Sequence, residues 1–223
     1  MKSPDDSMRT KLRNIPVLKG SSHDAHLDAM PDTPHEAFSV WLDKAIQEGV
    51  TEPHAMTLST VDENGWPDAR VLILKNVDHR GWHFAIKTDS PKGQQIINNQ
   101  HVALTFYWPQ QARQVRIRGI ATQLSEKECT EDFMARPAGS KISAMASKQS
   151  KVLNTLDELQ KSLTEAQSIL EKTPDLIMSG WKVYAAAPDI VEFWQGKSDR
   201  LHERLQYTRT VDHHSWEKQR LWP

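Results

Sequence analysis

From Ala55 onward, apolar and polar residues alternate with a period of two, and turn residues break the alternation at short intervals. Met56 to Val61 and Asp68 to Val77 flank Asp62-Glu63-Asn64-Gly65 and predict a hairpin, and Trp82 to Ile86 follows the turn Asp78-His79-Arg80-Gly81. Val102 to Trp108 and Gln114 to Thr122 repeat the pattern around Pro109-Gln110-Gln111. Further strands are expected at Trp181 to Tyr184, Asp189 to Trp194, Arg200 to Tyr207 and Ser215 to Arg220. Many short strands joined by tight turns predict an antiparallel barrel or sandwich, mainly β with peripheral helices, in the α+β class.

The period changes to that of a helix in four places. Thr33-Pro34-His35-Glu36 is a start signal, and Phe38, Trp41 and Ala45 follow on one face up to Gly49. Ser90-Pro91-Lys92-Gly93 opens a short helix to about Asn98, and Ser125-Glu126-Lys127-Glu128 is a capping box for another ending before Arg136-Pro137. A fourth runs from Val152 to about Glu171, with Leu156, Leu159, Leu163 and Ala166 as a core or subunit-interface stripe. The Gly/Ser-containing stretch between Pro137 and Ser150 reads as a loop. Residues 1–32 show no sustained periodicity apart from Ile15-Pro16-Val17-Leu18, which predicts an N-terminal arm, mobile or laid over a neighbour, before a single domain at 33–223.

Composition narrows the function classes. With 28 basic against 29 acidic residues, there is no global field to draw nucleic acid or an anionic membrane, so an anion site has to be local. The single cysteine, Cys129, excludes an internal disulfide framework and a cysteine-rich metal site, and reads as a small apolar residue on a helix. His23 and His26 lie in a polar arm that offers no carboxylate or cysteine framework for a metal and read as solvated; no metal is expected. No apolar run approaches membrane-spanning length and the N-terminus lacks signal-peptide features, so a cytoplasmic location is the expectation.

Five segments carry candidate chemistry. Along a strand from Arg200, the side chains of Arg200, His202, Arg204 and Gln206 would share one face, with Phe193 and Trp194 across the Gly196 turn, a surface suited to an aromatic anion. The helix start at Ser90 and Lys92 offers N–H groups, a hydroxyl and an ammonium to a phosphate. Arg70 and Lys75 stand in a very apolar strand, on opposite faces unless a bend intervenes. Gln114, Arg116 and Arg118 share a face that reads as solvated at both arginines. Arg136, Ser140 and Ser147-Lys148-Gln149-Ser150 place hydroxyls, an amide and cations in the stretch that reads as a loop.

Taken together, Arg70-Val71-Leu72-Ile73-Leu74-Lys75, Arg113-Gln114-Val115, Ser147-Lys148-Gln149-Ser150, Glu192-Phe193-Trp194-Gln195-Gly196, Arg200-Leu201-His202-Glu203-Arg204 and the terminal Arg220-Leu221-Trp222-Pro223 resemble, in wording and order, the pyridoxamine 5′-phosphate oxidases, FMN enzymes with a split β-barrel. The resemblance covers about Pro34 to Pro223. It implies FMN binding by Arg70, Lys92, Gln114, Gln149, Ser150, Trp194 and Arg204, with Ser90 beside Lys92 and Lys75 at the border of the cofactor and substrate sites. It places the substrate's 5′-phosphate on Lys75, Arg136 and Ser140, and the pyridine ring under Arg200 and His202, as orienting residues first. It further implies a homodimer with FMN in clefts shared by two subunits, and oxidation of pyridoxamine or pyridoxine 5′-phosphate with O₂ as acceptor. Alternatives are a flavin oxidase acting on another aromatic substrate, as the related phenazine-biosynthesis enzymes do, and a flavin or pyridoxal-phosphate binder without turnover.

Three departures stand out: Pro91-Lys92 for Arg-Lys, Ala85-Ile86 for Tyr-Thr, and Asp132 for a tyrosine that reaches the substrate phosphate. Loss of one neutral hydrogen bond costs about 0.5–1.5 kcal/mol, whereas a carboxylate about 5 Å from a phosphate charge costs on the order of 3 kcal/mol at an effective dielectric near 20. Either Asp132 points away, with Phe133 filling the space, or the pocket takes a different substrate.

Overall fold

Leu74 and Lys75 decide the shape of the sheet. The computed structural model describes residues 4–18 and 26–223, so His23 lies outside the described residues. In it, the stretch from Asp68 to Val77 is two strands rather than one, β2 (Pro67–Ile73) and β3 (Asn76–Asp78). With β1 (Ala55–Val61), β4 (Gly81–Lys87), β5 (His101–Trp108), β6 (Arg113–Gln123) and β7 (Trp181–Gln195), they form an antiparallel sheet in the order β2-β1-β5-β6-β7-β4-β3. β2 and β3 are opposite ends of this path, yet only Leu74 and Lys75 separate them in the chain. Since an extended residue spans at most about 3.6 Å, the sheet has to curl until its edges meet. The Leu74 N–H donates to the His54 carbonyl at 2.9 Å and the Lys75 N–H to the His83 carbonyl at 2.8 Å, fastening the seam on both sides. The result is the expected split barrel.

β7 was divided in two by the sequence pattern but is continuous over 15 residues. Its first part, Trp181 to Ala186, pairs with β4; its second, Ile190 to Gln195, pairs with β8 (Glu203–Arg209), which in turn pairs with β9 (Trp216–Leu221). β6 runs along its other side throughout, with a register shift between Arg118 and Gly119. A Cβ on Gly119 would lie 1.9 Å from the Ala187 carbonyl oxygen, so glycine is required where the two backbones approach.

Helices fill and flank the barrel. After α1 (Pro4–Arg13), α2 (Pro34–Gln47) lays Phe38 against Trp82 and Phe106, at 5.5 and 4.7 Å between ring centroids, and Trp41 against Phe193 at 5.2 Å. Burial of each such ring contributes about 1.5–3 kcal/mol. Leu27 and Met30 join this core, and the Tyr207 hydroxyl donates to the Pro31 carbonyl at 2.7 Å, so the last part of the arm is seated on the domain. α3 (Pro91–Asn98) and α4 (Glu126–Met134) follow the capping signals, and Cys129 is buried on α4. The stretch that reads as a loop contains α5 (Ala138–Ala146): Ala144 packs with Phe133 and Trp181, and this tertiary burial overrides the weak helix preference of Gly and Ser. α6 (Leu156–Lys172) begins later than expected because Thr155 caps it, accepting from the Glu158 N–H at 3.1 Å. Within one chain its apolar stripe is buried only at Ala166.

An ion network ties α4 to the sheet. Arg80 donates to Asp78 at 2.8 Å and to Glu128 at 2.7 Å. The Ser125 hydroxyl and Arg80 hold the Glu128 carboxyl at about 2, and although burial alone would raise Asp78, hydrogen bonds from Arg80 bring it to about 2 as well. Both are depressed groups, so their stabilisation is complete above their ordinary values of 4.5 and 3.8 and is lost as pH falls toward 2. Arg80→Met is therefore expected to flatten the loss of stability between pH 5 and pH 3 in urea titrations. An acid limb as steep as the parent's would rule out this origin.

Candidate functional site

The site is built from cations that the fold collects beside the seam. Ser90 caps α3, accepting from the Gly93 N–H at 3.3 Å and donating to the Lys87 carbonyl at 2.6 Å, so its hydroxyl is taken up by the helix start. That start turns Lys92 inward, 6% exposed, with its ammonium donating to Gln149 Oε1 at 2.8 Å. Burial and the neighbouring Arg70 and Lys87 all push the Lys92 pKa down. Lys87 is itself buried and donates to the Ser147 carbonyl, while Arg70 is held by Thr60 Oγ1 at 2.6 Å, by Asp68 and by Gln95 Oε1 at 3.3 Å. Burial and mutual repulsion both oppose the charge on Lys92, and an anion bound there would relieve both. The donor set, two ammonium groups, a guanidinium, an amide and a helix start, fits a phosphate monoester.

The same wall continues to a second cationic group. A cleft of about 340 Å³ is lined by Lys75, Lys87, Lys92, Arg136, Gln149 and Trp181, with Ser143 and Ser147 beside them. The Arg136 guanidinium stacks 4.2 Å from the Trp181 ring centroid and donates to the Ser140 carbonyl at 3.1 Å, while its Nε is buried without a hydrogen-bond partner. Burial lowers the Arg136 pKa, and the Asp132 charge opposes that shift. Asp132 does not point away: it accepts from Trp181 Nε1 at 2.8 Å and pairs with the Lys75 ammonium at 3.1 Å. Phe133 is buried against Trp181 instead, at 6.0 Å between centroids.

A third group stands on the open face of the sheet. Tyr107, Gln114, Trp194 and Arg204 are successive cross-strand partners on β5, β6, β7 and β8, and so point to one side. Arg204 donates to Glu192 at 3.0 Å and to the Trp222 carbonyl at 2.8 Å; Arg116 also reaches Glu192, at 3.5 Å. The expected strand from Arg200 is corrected here, because β8 begins at Glu203. The Arg200 N–H donates to the Lys197 carbonyl at 3.1 Å and the Leu201 N–H to Asp199 Oδ1 at 2.9 Å; these turn bonds and the left-handed Arg200 (φ 69°) keep residues 197–202 in a loop. His202 nevertheless returns to the Trp194 ring, 4.9 Å away, and its Nδ1 accepts from the Lys197 N–H at 3.1 Å, which puts the proton of the neutral ring on Nε2.

The fold thus gathers Lys75, Lys92, Arg136 and Gln149 along one cleft wall, with Arg70 close enough to Lys92 to act on its charge, and sets Gln114, Trp194, Arg200, His202 and Arg204 apart from it. Ser150 (φ 67°) lies in the turn beside Gln149, lining a smaller hollow against α6. Sequence reasoning missed Lys87 and Trp181. The signal for Lys87 was available, a lone cation closing the apolar run Trp82 to Ile86, but Trp181 read only as a strand start.

Residues 42–170 match the family model described as pyridoxamine 5′-phosphate oxidase, and residues 181–223 the model described as pyridoxine 5′-phosphate oxidase C-terminal dimerisation region. The pyridoxine/pyridoxamine 5′-phosphate oxidase of Pseudomonas savastanoi is 41% identical over 195 residues, covering 86% of this chain and 90% of that one. The protein of the same name from Legionella pneumophila is 37% identical over 216 residues, 96% of this chain and 100% of that one. Among solved structures, PhzG from Burkholderia lata in complex with tetrahydrophenazine-1-carboxylic acid superposes with a TM-score of 0.80 at 28% identity, covering 88% of this chain and 95% of that one. A pyridoxamine 5′-phosphate oxidase-related, FMN binding protein from Nostoc punctiforme shares the fold, with a TM-score of 0.70 at 16% identity, covering 87% of this chain and 100% of that one. The chain belongs to the pyridoxamine 5′-phosphate oxidase family of flavin-dependent oxidoreductases.

Proposed function

We propose that this chain oxidises pyridoxamine or pyridoxine 5′-phosphate to pyridoxal 5′-phosphate, with FMN as cofactor and O₂ as acceptor, giving H₂O₂. The observation that carries this reading is one cleft with two cationic ends, Lys92 and Lys87 at one, with Arg70 close behind them, and Lys75 and Arg136 at the other, which suits two phosphate monoesters side by side. Lys92 and Gln149 would hold FMN from the cleft, Arg70 and Ser150 from beside it, and Gln114, Trp194 and Arg204 from the sheet face. FMN supplies the hydride acceptor. The chain's own work is to grip the substrate phosphate with Lys75, Arg136 and the Ser140 region, to cover the pyridine ring with Arg200 and His202, and to keep that ring aligned.

The two groups stand apart in one chain, which supports a homodimer in which the cleft of one subunit is completed by the sheet face of its partner; the match to a dimerisation region supports the same assembly. No helix among the described residues is long and apolar enough to cross a membrane, in keeping with a small-molecule enzyme of the cytoplasm. A second reading, oxidation of a different aromatic substrate, draws support from the pairing of Lys75 with Asp132.

Purified, FMN-saturated protein is expected to convert pyridoxine 5′-phosphate aerobically to pyridoxal 5′-phosphate with matching O₂ uptake; flavin that stays oxidised with both the alcohol and the amine would refute the named substrates. Arg200→Ala should lower turnover far more than FMN content, and Arg204→Ala should lower FMN content first. Equal loss of both quantities in Arg200→Ala, or full FMN occupancy in Arg204→Ala, would remove the corresponding assignment.

A further inference from the structure

The second cationic end of the cleft carries its own counter-ion. Lys75 and Arg136 bring two positive charges to it, and Asp132 answers one of them: its Oδ1 lies 3.1 Å from the Lys75 ammonium while its Oδ2 accepts from Trp181 Nε1 at 2.8 Å. Both carboxylate oxygens are therefore engaged, and the carboxylate is fixed from two sides. Arg136, by contrast, gives one N–H to the Ser140 carbonyl, stacks on Trp181 and keeps a buried Nε without a partner. A ligand's charged group entering here meets one cation that is free to donate and one that is already paired. Two negative charges would find only one net positive charge to balance them, because Asp132 sits 3.1 Å from the Lys75 ammonium.

On the reading that this pocket takes the substrate's anionic end, we propose that Asp132 is a specificity-determining residue. By engaging Lys75 it weakens the hold on a doubly charged phosphate and admits a singly charged head group, a sulfate or carboxylate, on comparable terms, with Arg136 as the main contact. The expectation follows from electrostatics alone, since the walls that set the pocket's shape are not altered by neutralising this one group. Asp132→Asn is the suitable variant, because the amide oxygen can still accept from Trp181 while the charge on Lys75 is released.

The test measures calorimetric dissociation constants of pyridoxal 5′-phosphate and its isosteric pyridoxal 5′-sulfate at pH 8, on FMN-saturated full-length protein, where the first is a dianion and the second a monoanion. The parent is expected to bind the two within about threefold of each other, and Asp132→Asn to favour the phosphate by at least about tenfold, a difference of 1.4 kcal/mol. Lys75→Met should cost the Asp132→Asn background at least about tenfold more in phosphate affinity than it costs the parent, a coupling that a merely structural aspartate would not produce. A parent that already prefers phosphate tenfold, with no change in Asp132→Asn, would overturn the role of Asp132 and leave the proposed function standing. Failure of the parent to bind either ligand would overturn both, and loss of phosphate affinity in Asp132→Asn with the parent unaffected would overturn the role of Asp132.

Discussion

The constraint on which the rest depends is the two-residue seam. Because Leu74 and Lys75 connect strands at opposite ends of the sheet, the sheet curls, and the curled sheet brings the end of β4, the start of α3 and the α4–α5 region to the same side as β2. Lys75 is both a structural and a chemical residue in this arrangement: its N–H closes the seam onto His83 and its ammonium enters the cleft toward Asp132. Arg70, on the adjoining strand, reaches Thr60 and Gln95 rather than the same pocket.

Charge placement follows from that geometry. The cleft concentrates buried cations at one end, where Asp68 on Arg70 and Asp89 on Lys87 offset them only in part, and at the other it sets Asp132 against Lys75 and Arg136. The first arrangement opposes the protonated state of Lys92 when nothing is bound, which is the electrostatic signature of a place meant for an anion. The second is already compensated and therefore discriminates among anions rather than attracting all of them. The second end differs in that its acid, Asp132 on α4, is fixed between Trp181 Nε1 and Lys75, on a helix that Arg80 ties to the sheet through Glu128.

Much of this was legible in the residue pattern. Period-two stretches gave the strands of the barrel, and Ser90, Ser125 and Thr33 marked where helices begin, because cap and strand signals act over a few residues. The helix at Ala138–Ala146 was not legible, since its stability comes from Ala144 packing on Phe133 and Trp181, both outside the helix and the second far away in sequence. The break after Ile73 escaped for a similar reason: an apolar run looks the same whether it continues or turns a corner between two edges. At the site, Lys92 and Arg136 were identifiable from local chemistry and family likeness, whereas the partner of Asp132 was not, because Lys75 and Trp181 approach it only through the closure of the barrel. Arg200 and His202 were placed on a strand by alternation, but the hydrogen bonds of Lys197 and Asp199 within the turn outcompete the ladder there.

The measurement that goes most directly to the cationic cleft is a comparison of FMN with riboflavin, which differ by one phosphate, titrated into the flavin-free protein and followed by flavin fluorescence. If Lys92, Lys87 and Arg70 are arranged for a phosphate, FMN should bind roughly a hundredfold more tightly than riboflavin, as charge-assisted hydrogen bonds to a phosphate require, and Lys92→Met should remove most of the difference. Equal affinity for the two flavins in the parent protein would contradict the assignment of that cluster as a phosphate site.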